Sequence, residues 1–362
     1  MPFSDELITE AVARYRRERD RYVKLADRVA EICREDVCEQ NAIRAHVTFR
    51  IKTEKSFEGK LRRFASREDR NYTSIDEIFA SISDLAGVRV SAYQEKDCNQ
   101  IVQKMEELFC GPAGQQTIEI DRKDKKTDLN ENYYRATHVQ AALRQDQLIG
   151  IYDNVGDISC EIQICTMIAH VWNEVEHDIG YKSDDAGPSP DEAYHLSDLG
   201  RLVRRGDHVI SALMAAHERR LTAINPASNS VDPERPFMDV HDFVSRMRDF
   251  WGDAMPKFAE NSGQLFDLLN DLGVNSPKAV QDTLQGMNAE CARALLSRLN
   301  DRLAEEGVTE LSLKPETSDL MLVPLANKMP DQIRAALQGR AGRGRGRPTR
   351  LHRVMLRHLS QA

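Results

Sequence analysis

The chain has 362 residues, of which 41% are hydrophobic and 30% are charged, a balance typical of globular rather than disordered proteins. No run of about 18 apolar residues is present, which excludes a membrane-spanning helix, and the N-terminus lacks the pattern of a secretory signal. The net charge is −8, but the residues from Gln332 onward include eight arginines and no acid, so residues 1–331 carry about −16. An acidic body with a basic end argues against one uniformly basic nucleic-acid-binding surface. Seven scattered cysteines without a CxxC pair indicate reduced thiols and a cytoplasmic protein.

Hydrophobic periodicity predicts helices and strands that alternate through the first half of the chain. The predicted helices cover residues 5–40, 54–64, 74–82, 97–109, 166–182 and 190–221. The predicted strands cover residues 46–52, 87–93, 116–121, 134–143 and 157–165, with a charged loop at 121–131. This order predicts a mixed sheet with helices packed on it.

The second half of the chain has only helical patterns after a segment rich in proline, serine and asparagine. We therefore expect six regions along the chain. They are an N-terminal helix at 1–40, an α/β domain at 41–185, a helical extension at 186–224, a linker at 225–236, a helical C-terminal domain at 237–338 and a basic Arg/Gly tail at 339–362. The predicted fold class is α+β, a mixed sheet flanked by helices and followed by an all-helical region.

Alternation along the strands collects polar side chains on one face of this sheet. Val47, Phe49 and Ile51 share one face of the first strand, which helices should cover, whereas Arg50 and Lys52 share the other. The polar residues of the later strands are Tyr134, His138, Glu161 and Gln163. Such a face is either a solvated surface or a nucleotide site in which cations bind phosphates, a carboxylate binds Mg²⁺ and an aromatic ring stacks on a base.

The helix after the first strand adds a cluster of phosphate-binding residue types. Ser56, Lys60 and Arg63 lie at positions i, i+4 and i+7, on one helical face, and Lys55 lies close by. Neighbouring like charges repel one another, so an anionic partner would stabilise this cluster, although a solvated basic face also has this pattern.

Four segments in order resemble motifs of the RelA/SpoT alarmone synthetase family. They are RIKTEKSFEGKLRR at 50–63, DLAGVRV at 84–90, NYYRATH at 132–138, and EIQICT at 161–166 followed by HVWNEVEH at 170–177 and GYK at 180–182. The resemblance covers about residues 40–185 and leaves the C-terminal half unmatched. It implies a nucleotidyltransferase-like sheet that transfers pyrophosphate from ATP to the 3′-hydroxyl of GTP or GDP, giving AMP and (p)ppGpp. Only the synthetase is recognised, without the family's hydrolase domain.

The resemblance also implies roles for individual residues. Asp84 and Glu161 would bind Mg²⁺, and Glu161 would also accept the proton of the 3′-hydroxyl. The residues that would bind ATP are Arg50, Lys52, Lys55, Ser56, Lys60 and Arg63. On the acceptor side, Tyr134 would stack on the base and His138 and Arg89 would steady phosphates, with Gln163 beside them.

Three residues depart from the family pattern near the acceptor side. Tyr133 replaces a usual glycine, Ala136 a usual serine and Cys165 a usual arginine. These departures leave open a family member that pyrophosphorylates adenine nucleotides or the 3′ end of tRNA. A non-catalytic regulator that binds nucleotide or nucleic acid is a further alternative.

The basic tail contains RGRP at 345–348, which also occurs at the centre of DNA-binding AT-hook peptides. Arginine and glycine in this mixture are also typical of RNA-contacting segments and, more commonly, of flexible solubilising tails. A contact with tRNA or the ribosome through residues 339–358 is therefore a prediction, as is a homo-oligomer; no membrane partner is expected.

Overall fold

The computed structural model describes residues 4–66, 71–124, 133–181, 188–224, 232–339 and 350–359. The chain divides into two compact units. The first unit comprises residues 1–37 and 44–215, and the second comprises residues 38–43 and 216–362. Within the described residues, no helix is both long enough and apolar enough to cross a membrane.

The first unit is built on one mixed sheet of five strands in the spatial order β1-β2-β5-β4-β3. The strands are β1 Ala45–Ile51, β2 Ala86–Ala92, β3 Glu119–Asp124, β4 Arg135–Ala141 and β5 Cys160–Thr166. Only the central pair, β2 and β5, is parallel, whereas the other three pairs are antiparallel. The predicted fold class is confirmed.

Six helices accompany this sheet. They are α1 Asp5–Ile32, α2 Glu54–Ala65, α3 Ile75–Ser81, α4 Glu95–Leu108, α5 Met167–Glu176 and α6 Pro190–Ile224, the last of which continues into the second unit. Side-chain caps fix where several of them begin: Thr53 accepts a hydrogen bond from the backbone N–H of Ser56, and Thr166 accepts one from Ala169. These caps start α2 directly after β1 and α5 directly after β5, so both helices begin at the ends of polar-faced strands.

The apolar face of the sheet forms the core with α1 and α4. Val88, Val90 and Ile162 on the central strands are buried there, together with Leu25 and Val29 of α1. The expectation for β1 is only partly met: Val47 is buried, whereas Phe49 keeps 42% of its surface exposed. Since β1 is an edge strand, its side chains have a neighbouring strand on one side only.

Strand β3 corrects the prediction of a loop that begins at residue 121. The strand runs to Asp124, because residues 119–124 pair antiparallel with β4 in an unbroken register. Lys123 pairs with Ala136, and Asp121 pairs with His138. Cross-strand pairing with β4 therefore outweighs the weak strand preference of these charged residues. The rest of the predicted loop, residues 125–131, lies outside the described residues.

All regular elements among the described residues of the second unit are helical. The helices are α7 Val240–Met247, α8 Ser262–Asp271, α9 Pro277–Thr283, α10 Ala289–Glu305, α11 Leu322–Lys328, α12 Pro330–Gly339 and α13 Arg350–Leu359. Of the predicted linker, residues 225–231 lie outside the described residues.

Helix α13 occupies part of the segment that sequence analysis assigns to a basic tail. Its residues Leu351, Val354 and Met355 are buried in the core of the second unit. Arg350, at its start, is paired with the buried carboxylate of Asp319 at 2.8 Å. Apolar residues at i, i+3 and i+4 thus give this basic segment a packed face. The RGRP sequence itself lies outside the described residues.

Candidate active site

The register of the sheet brings the predicted polar residues into two adjacent rows on one face. In the first row Arg50 pairs with Gly87, Gly87 with Glu161, and Glu161 with Gln140. In the second row Arg89 pairs with Gln163, and Gln163 pairs with His138. Residues that are directly paired point to the same side of a sheet, so these side chains face one another.

Glu161 lies at the centre of these rows and is held by three neighbours. Gln163 Nε2 donates to its Oε1 at 2.8 Å, and Gln140 Nε2 donates to its Oε2 at 3.1 Å. The Nδ1 atom of His138 lies 3.5 Å from Oε1. Both carboxylate oxygens are therefore held in place.

The pKa of Glu161 is lowered by this environment. Burial alone would raise the pKa, but the hydrogen bond and charge of His138 and the hydrogen bond of Gln163 outweigh it. The negative charge of Asp84 acts against them and raises the pKa of Glu161, so the two carboxylates interact. Glu161 is thus ionised at neutral pH.

Asp84 lies in the turn before β2, where two lysines meet it. Lys52 Nζ lies 2.6 Å from Oδ2, and Lys60 Nζ lies 2.9 Å from Oδ1. Burial opposes ionisation of Asp84, but the charges and hydrogen bonds of Lys52 and Lys60 outweigh it and lower the pKa of the carboxyl. The backbone of Lys52 is fixed in turn, because the buried Tyr15 donates its hydroxyl to the Lys52 carbonyl at 2.6 Å.

The remaining residues predicted to bind ATP lie along β1 and α2. Arg50, Lys55, Ser56 and Arg63 are exposed, and Lys60 is half-buried. The Ser56 hydroxyl accepts a hydrogen bond from Thr53 at 2.8 Å, at the N-terminus of α2. Exposed cations and free amides of a helix N-terminus both suit a polyphosphate.

The predicted acceptor residues Tyr134 and His138 form a pair on β4. The Tyr134 hydroxyl lies 2.7 Å from Nε2 of His138, and Lys123 Nζ lies 3.3 Å from its Nδ1. Burial, followed by the charge of Glu161, raises the pKa of Tyr134, so its phenol stays protonated. With a proton on Nδ1, the ring donates towards Glu161 and its Nε2 accepts from the Tyr134 hydroxyl. With the proton on Nε2 instead, Nδ1 accepts from Lys123 and the Tyr134 oxygen accepts from Nε2.

Arg89 connects the sheet to helix α5. Its Nη2 atom donates to Gln163 Oε1 at 3.2 Å and to Glu174 Oε1 at 2.6 Å. Gln163 in turn donates to Glu161, so Arg89 orients the amide that holds the central carboxylate. Arg89 therefore also has a structural role, because it forms an ion pair with Glu174 of α5.

Three polar residues of the site, two on the sheet face and one on α5, are not among the predicted site residues. Gln140 follows His138 by two positions, so alternation alone placed it on the same face. Lys123 falls within the predicted charged loop, and only the pairing of β3 with β4 brings it beside His138. Glu174 lies on α5, and its contact with Arg89 depends on how the helix packs.

The two central carboxylates fit a magnesium ion. Mg²⁺ in nucleotide sites is usually held by one or two carboxylates together with phosphates and water. Asp84 and Glu161 are both ionised, and a dication between them would relieve the repulsion that raises the pKa of Glu161. No cluster of three or more His, Cys, Asp or Glu suited to a metal occurs in the described part of the chain, so nucleotide oxygens would complete the set. Lys52 or Lys60 would then have to turn away from Asp84.

This fold and polar face define an α+β domain with paired carboxylates beside a cationic helix. A family model described as the region found in RelA / SpoT proteins matches residues 49–186. The matched segment is similar to this region and covers all five strands except the first residues of β1.

Similar solved structures were also found. Small alarmone synthetase 1 from Bacillus subtilis is 20% identical and covers 57% of this chain and 98% of its own, with a TM-score of 0.43. A GTP pyrophosphokinase family protein from Streptococcus pneumoniae is 19% identical and covers 59% and 98%, with a TM-score of 0.44. The Bacillus subtilis synthetase 1 bound to its product pppGpp is 24% identical and covers 48% and 79%, with a TM-score of 0.35. Among curated proteins, no match was found.

Proposed function

We propose that this protein transfers pyrophosphate from ATP to the 3′-hydroxyl of GTP or GDP in a Mg²⁺-dependent reaction that yields AMP and (p)ppGpp. The observation that carries the proposal is the pair of ionised carboxylates, Asp84 and Glu161, between the cations of β1 and α2 and the Tyr134–His138 pair. Its cellular location would be the cytoplasm.

The ATP side of the site is the cationic end near α2. Arg50, Lys55, Ser56 and Arg63 would bind the phosphates, with Lys52 and Lys60 close to the transferred group. Phosphoryl transfer depends mainly on positioning and on neutralising the phosphate oxygens, which this set of cations supplies. Bound Mg²⁺ would add positive charge at those oxygens.

The acceptor side is formed by Tyr134, His138, Arg89 and Gln163. Tyr134 would stack on the base, and Arg89 and His138 would steady phosphates. The lowered pKa of Glu161 makes it a weak base, so it would orient the 3′-hydroxyl by accepting its hydrogen bond before it receives the proton. A carboxylate fixed in this position would hold the hydroxyl close to the phosphorus atom that it attacks.

The departures from the family pattern do not favour another acceptor. Tyr133, Ala136 and Cys165 each expose only 6% of their surface. Side chains this buried present little surface to a ligand, so they give no reason to prefer an acceptor other than GTP or GDP. Transfer to adenine nucleotides or tRNA is the alternative, and the arginine-rich sequence at 340–349 is the feature that favours tRNA.

A transfer assay tests the proposal. Purified protein is incubated with ATP labelled in the γ-phosphate, Mg²⁺ and one of five acceptors: GDP, GTP, ADP, ATP or tRNA. We expect AMP and label on GDP or GTP, and loss of about 100-fold or more of the rate in Glu161→Gln. Glu290→Gln, which changes an exposed residue of the second unit, is the matched control. Label on tRNA alone would establish the alternative acceptor. Binding of nucleotide without transfer to any acceptor would indicate a non-catalytic regulator.

A further inference from the structure

The three residues that depart from the family pattern lie together in one buried cluster. Tyr133, Ala136 and Cys165 pack with three further buried residues, which are Ala169, Trp172 and Val203. The cluster therefore joins β4 and β5 to helices α5 and α6. It forms an apolar patch on the face of the sheet that is otherwise polar.

One face of α6 fits against this cluster. The face consists of Gly200, Val203, Arg204 and Asp207, at positions i, i+3, i+4 and i+7. A Cβ atom added to Gly200 would lie 2.2 Å from Cγ and Cδ2 of the Tyr133 ring. Any residue larger than glycine at position 200 therefore displaces either the ring or the helix.

Further contacts hold the Tyr133 ring. The Arg204 guanidinium lies 5.6 Å from its centroid, and the Trp172 ring packs against it edge-on at 6.3 Å. Trp172 also ties α5 to α6, since its Nε1 donates to the Leu196 carbonyl at 2.9 Å. The ring is thus enclosed between α5 and α6.

The residue on the other side of Tyr134 is fixed by the same helices. Arg135 forms an ion pair with the buried Asp207 of α6, and Asn173 of α5 donates to the Arg135 carbonyl at 3.3 Å. Tyr134 therefore lies between two residues that α6 holds. Its hydroxyl bonds His138, and His138 faces Glu161.

From this arrangement we propose that the Gly200–Asp207 face of α6 is a positioning element that fixes Tyr134 and, through His138, Glu161 for the acceptor nucleotide. The residues of this face, together with Tyr133 and Arg135, are positioning residues, because they act through Tyr134. The inference rests on the proposed function only for the identity of the nucleotide. It predicts that disturbing this face weakens acceptor use and leaves ATP binding in place.

The test uses Gly200→Ala in the full chain, with Leu202→Ala on the exposed side of α6 as the matched control. We expect the KM for GDP to rise about 10-fold or more in Gly200→Ala, since small misplacements of a reacting group are costly. The KM for ATP should stay within about twofold of the wild-type value, because distant sites that share no contacts affect one another little. In a Tyr133→Gly background, Gly200→Ala should not change the KM for GDP further, because the ring that the added methyl group would contact is absent.

A second readout does not need turnover. The ¹⁵N shifts of the His138 ring, assigned with His138→Gln, should change in Gly200→Ala and not in Leu202→Ala. Where Gly200→Ala fails to fold, Asp207→Asn keeps the shape of the side chain, weakens its ion pair with Arg135 and should also shift the His138 signal. An unchanged GDP KM and an unchanged His138 signal would overturn the inference. Failure of the wild-type protein to transfer any pyrophosphate would overturn the proposed function, while the His138 signal still decides the positioning role.

Discussion

Lys52 Nζ lies 2.6 Å from one oxygen of Asp84 while Lys60 Nζ lies 2.9 Å from the other. The two ammonium groups stabilise the ionised carboxylate before any substrate is bound. Mg²⁺ held by Asp84 would leave the same lysines available for phosphate oxygens. Asp84 is thus in direct contact with two of the cations that are proposed to bind ATP, Lys52 and Lys60.

Replacing Lys52 should move the acid limb of the pH profile. The proposed reaction requires Asp84 in its ionised form, and Lys52 is the larger of the two charges that lower its pKa. In Lys52→Met that pKa rises, so activity is lost at a higher pH on acidification than in the wild-type protein. The measurement is kcat/KM for ATP between pH 4 and pH 8. If the acid limb does not move, the ionisation of Asp84 does not control kcat/KM.

Gln140→Ala should lower kcat more than it changes either KM. The variant removes the 3.1 Å hydrogen bond to Glu161 Oε2 and leaves that oxygen without its amide partner. Hydrogen bonds to charged groups contribute about 1.5–3 kcal/mol, so we expect a loss of about 10-fold or more in rate. Steady-state kinetics with both substrates varied gives the separation. Gln103→Ala, at an exposed position of α4, is the matched control and should retain wild-type kinetics.

Two phenylalanines near the ATP side should differ strongly in their effect on stability. Phe57 of α2 is fully buried, and its ring centroid lies 5.0 Å from that of Tyr15. Phe57→Ala should cost about 3–5 kcal/mol in the free energy of unfolding. Phe49→Ala, at the exposed position of β1, should cost less than about 1 kcal/mol. Urea unfolding followed by Trp172 fluorescence in a Trp251→Phe background measures both, and equal losses would contradict the assigned packing.

The second unit should lose stability on mild acidification through His358. Burial, followed by the charge of Arg302, lowers the pKa of His358 in the folded state. Its Nδ1 accepts from Arg302 at 3.1 Å, and its Nε2 lies 2.9 Å from Asn327 Oδ1. The unfolded chain takes up the proton at a pKa of about 6.5, so this contribution to stability is complete above that pH and declines as pH falls below it.

Unfolding of the second unit is followed by Trp251 fluorescence in a Trp172→Phe background. The free energy of unfolding should fall between pH 7.5 and pH 5.5, and His358→Gln should reduce that fall. If His358→Gln has the same pH dependence of stability as the Trp172→Phe protein, groups other than His358 cause the fall.

The amino-acid sequence by itself determined the type of each major element and the face on which polar residues lie. Periodicity fixes both, because side chains repeat every two residues in a strand and about every 3.6 in a helix. The four family motifs placed Asp84, Glu161, Tyr134 and His138 in one site before any register was known, and the structure brings these segments to one side of the sheet. Their catalytic roles stay predictions.

Only the tertiary structure decided which residues meet. The pairing of β3 with β4 brought Lys123 to His138, and the packing of α5 brought Glu174 to Arg89. The burial of Tyr133 against Gly200 depends on residues 67 positions apart, and no local pattern encodes such a contact. Local periodicity sets the orientation of a side chain along its own element, whereas contacts between elements arise from the packing of the whole domain.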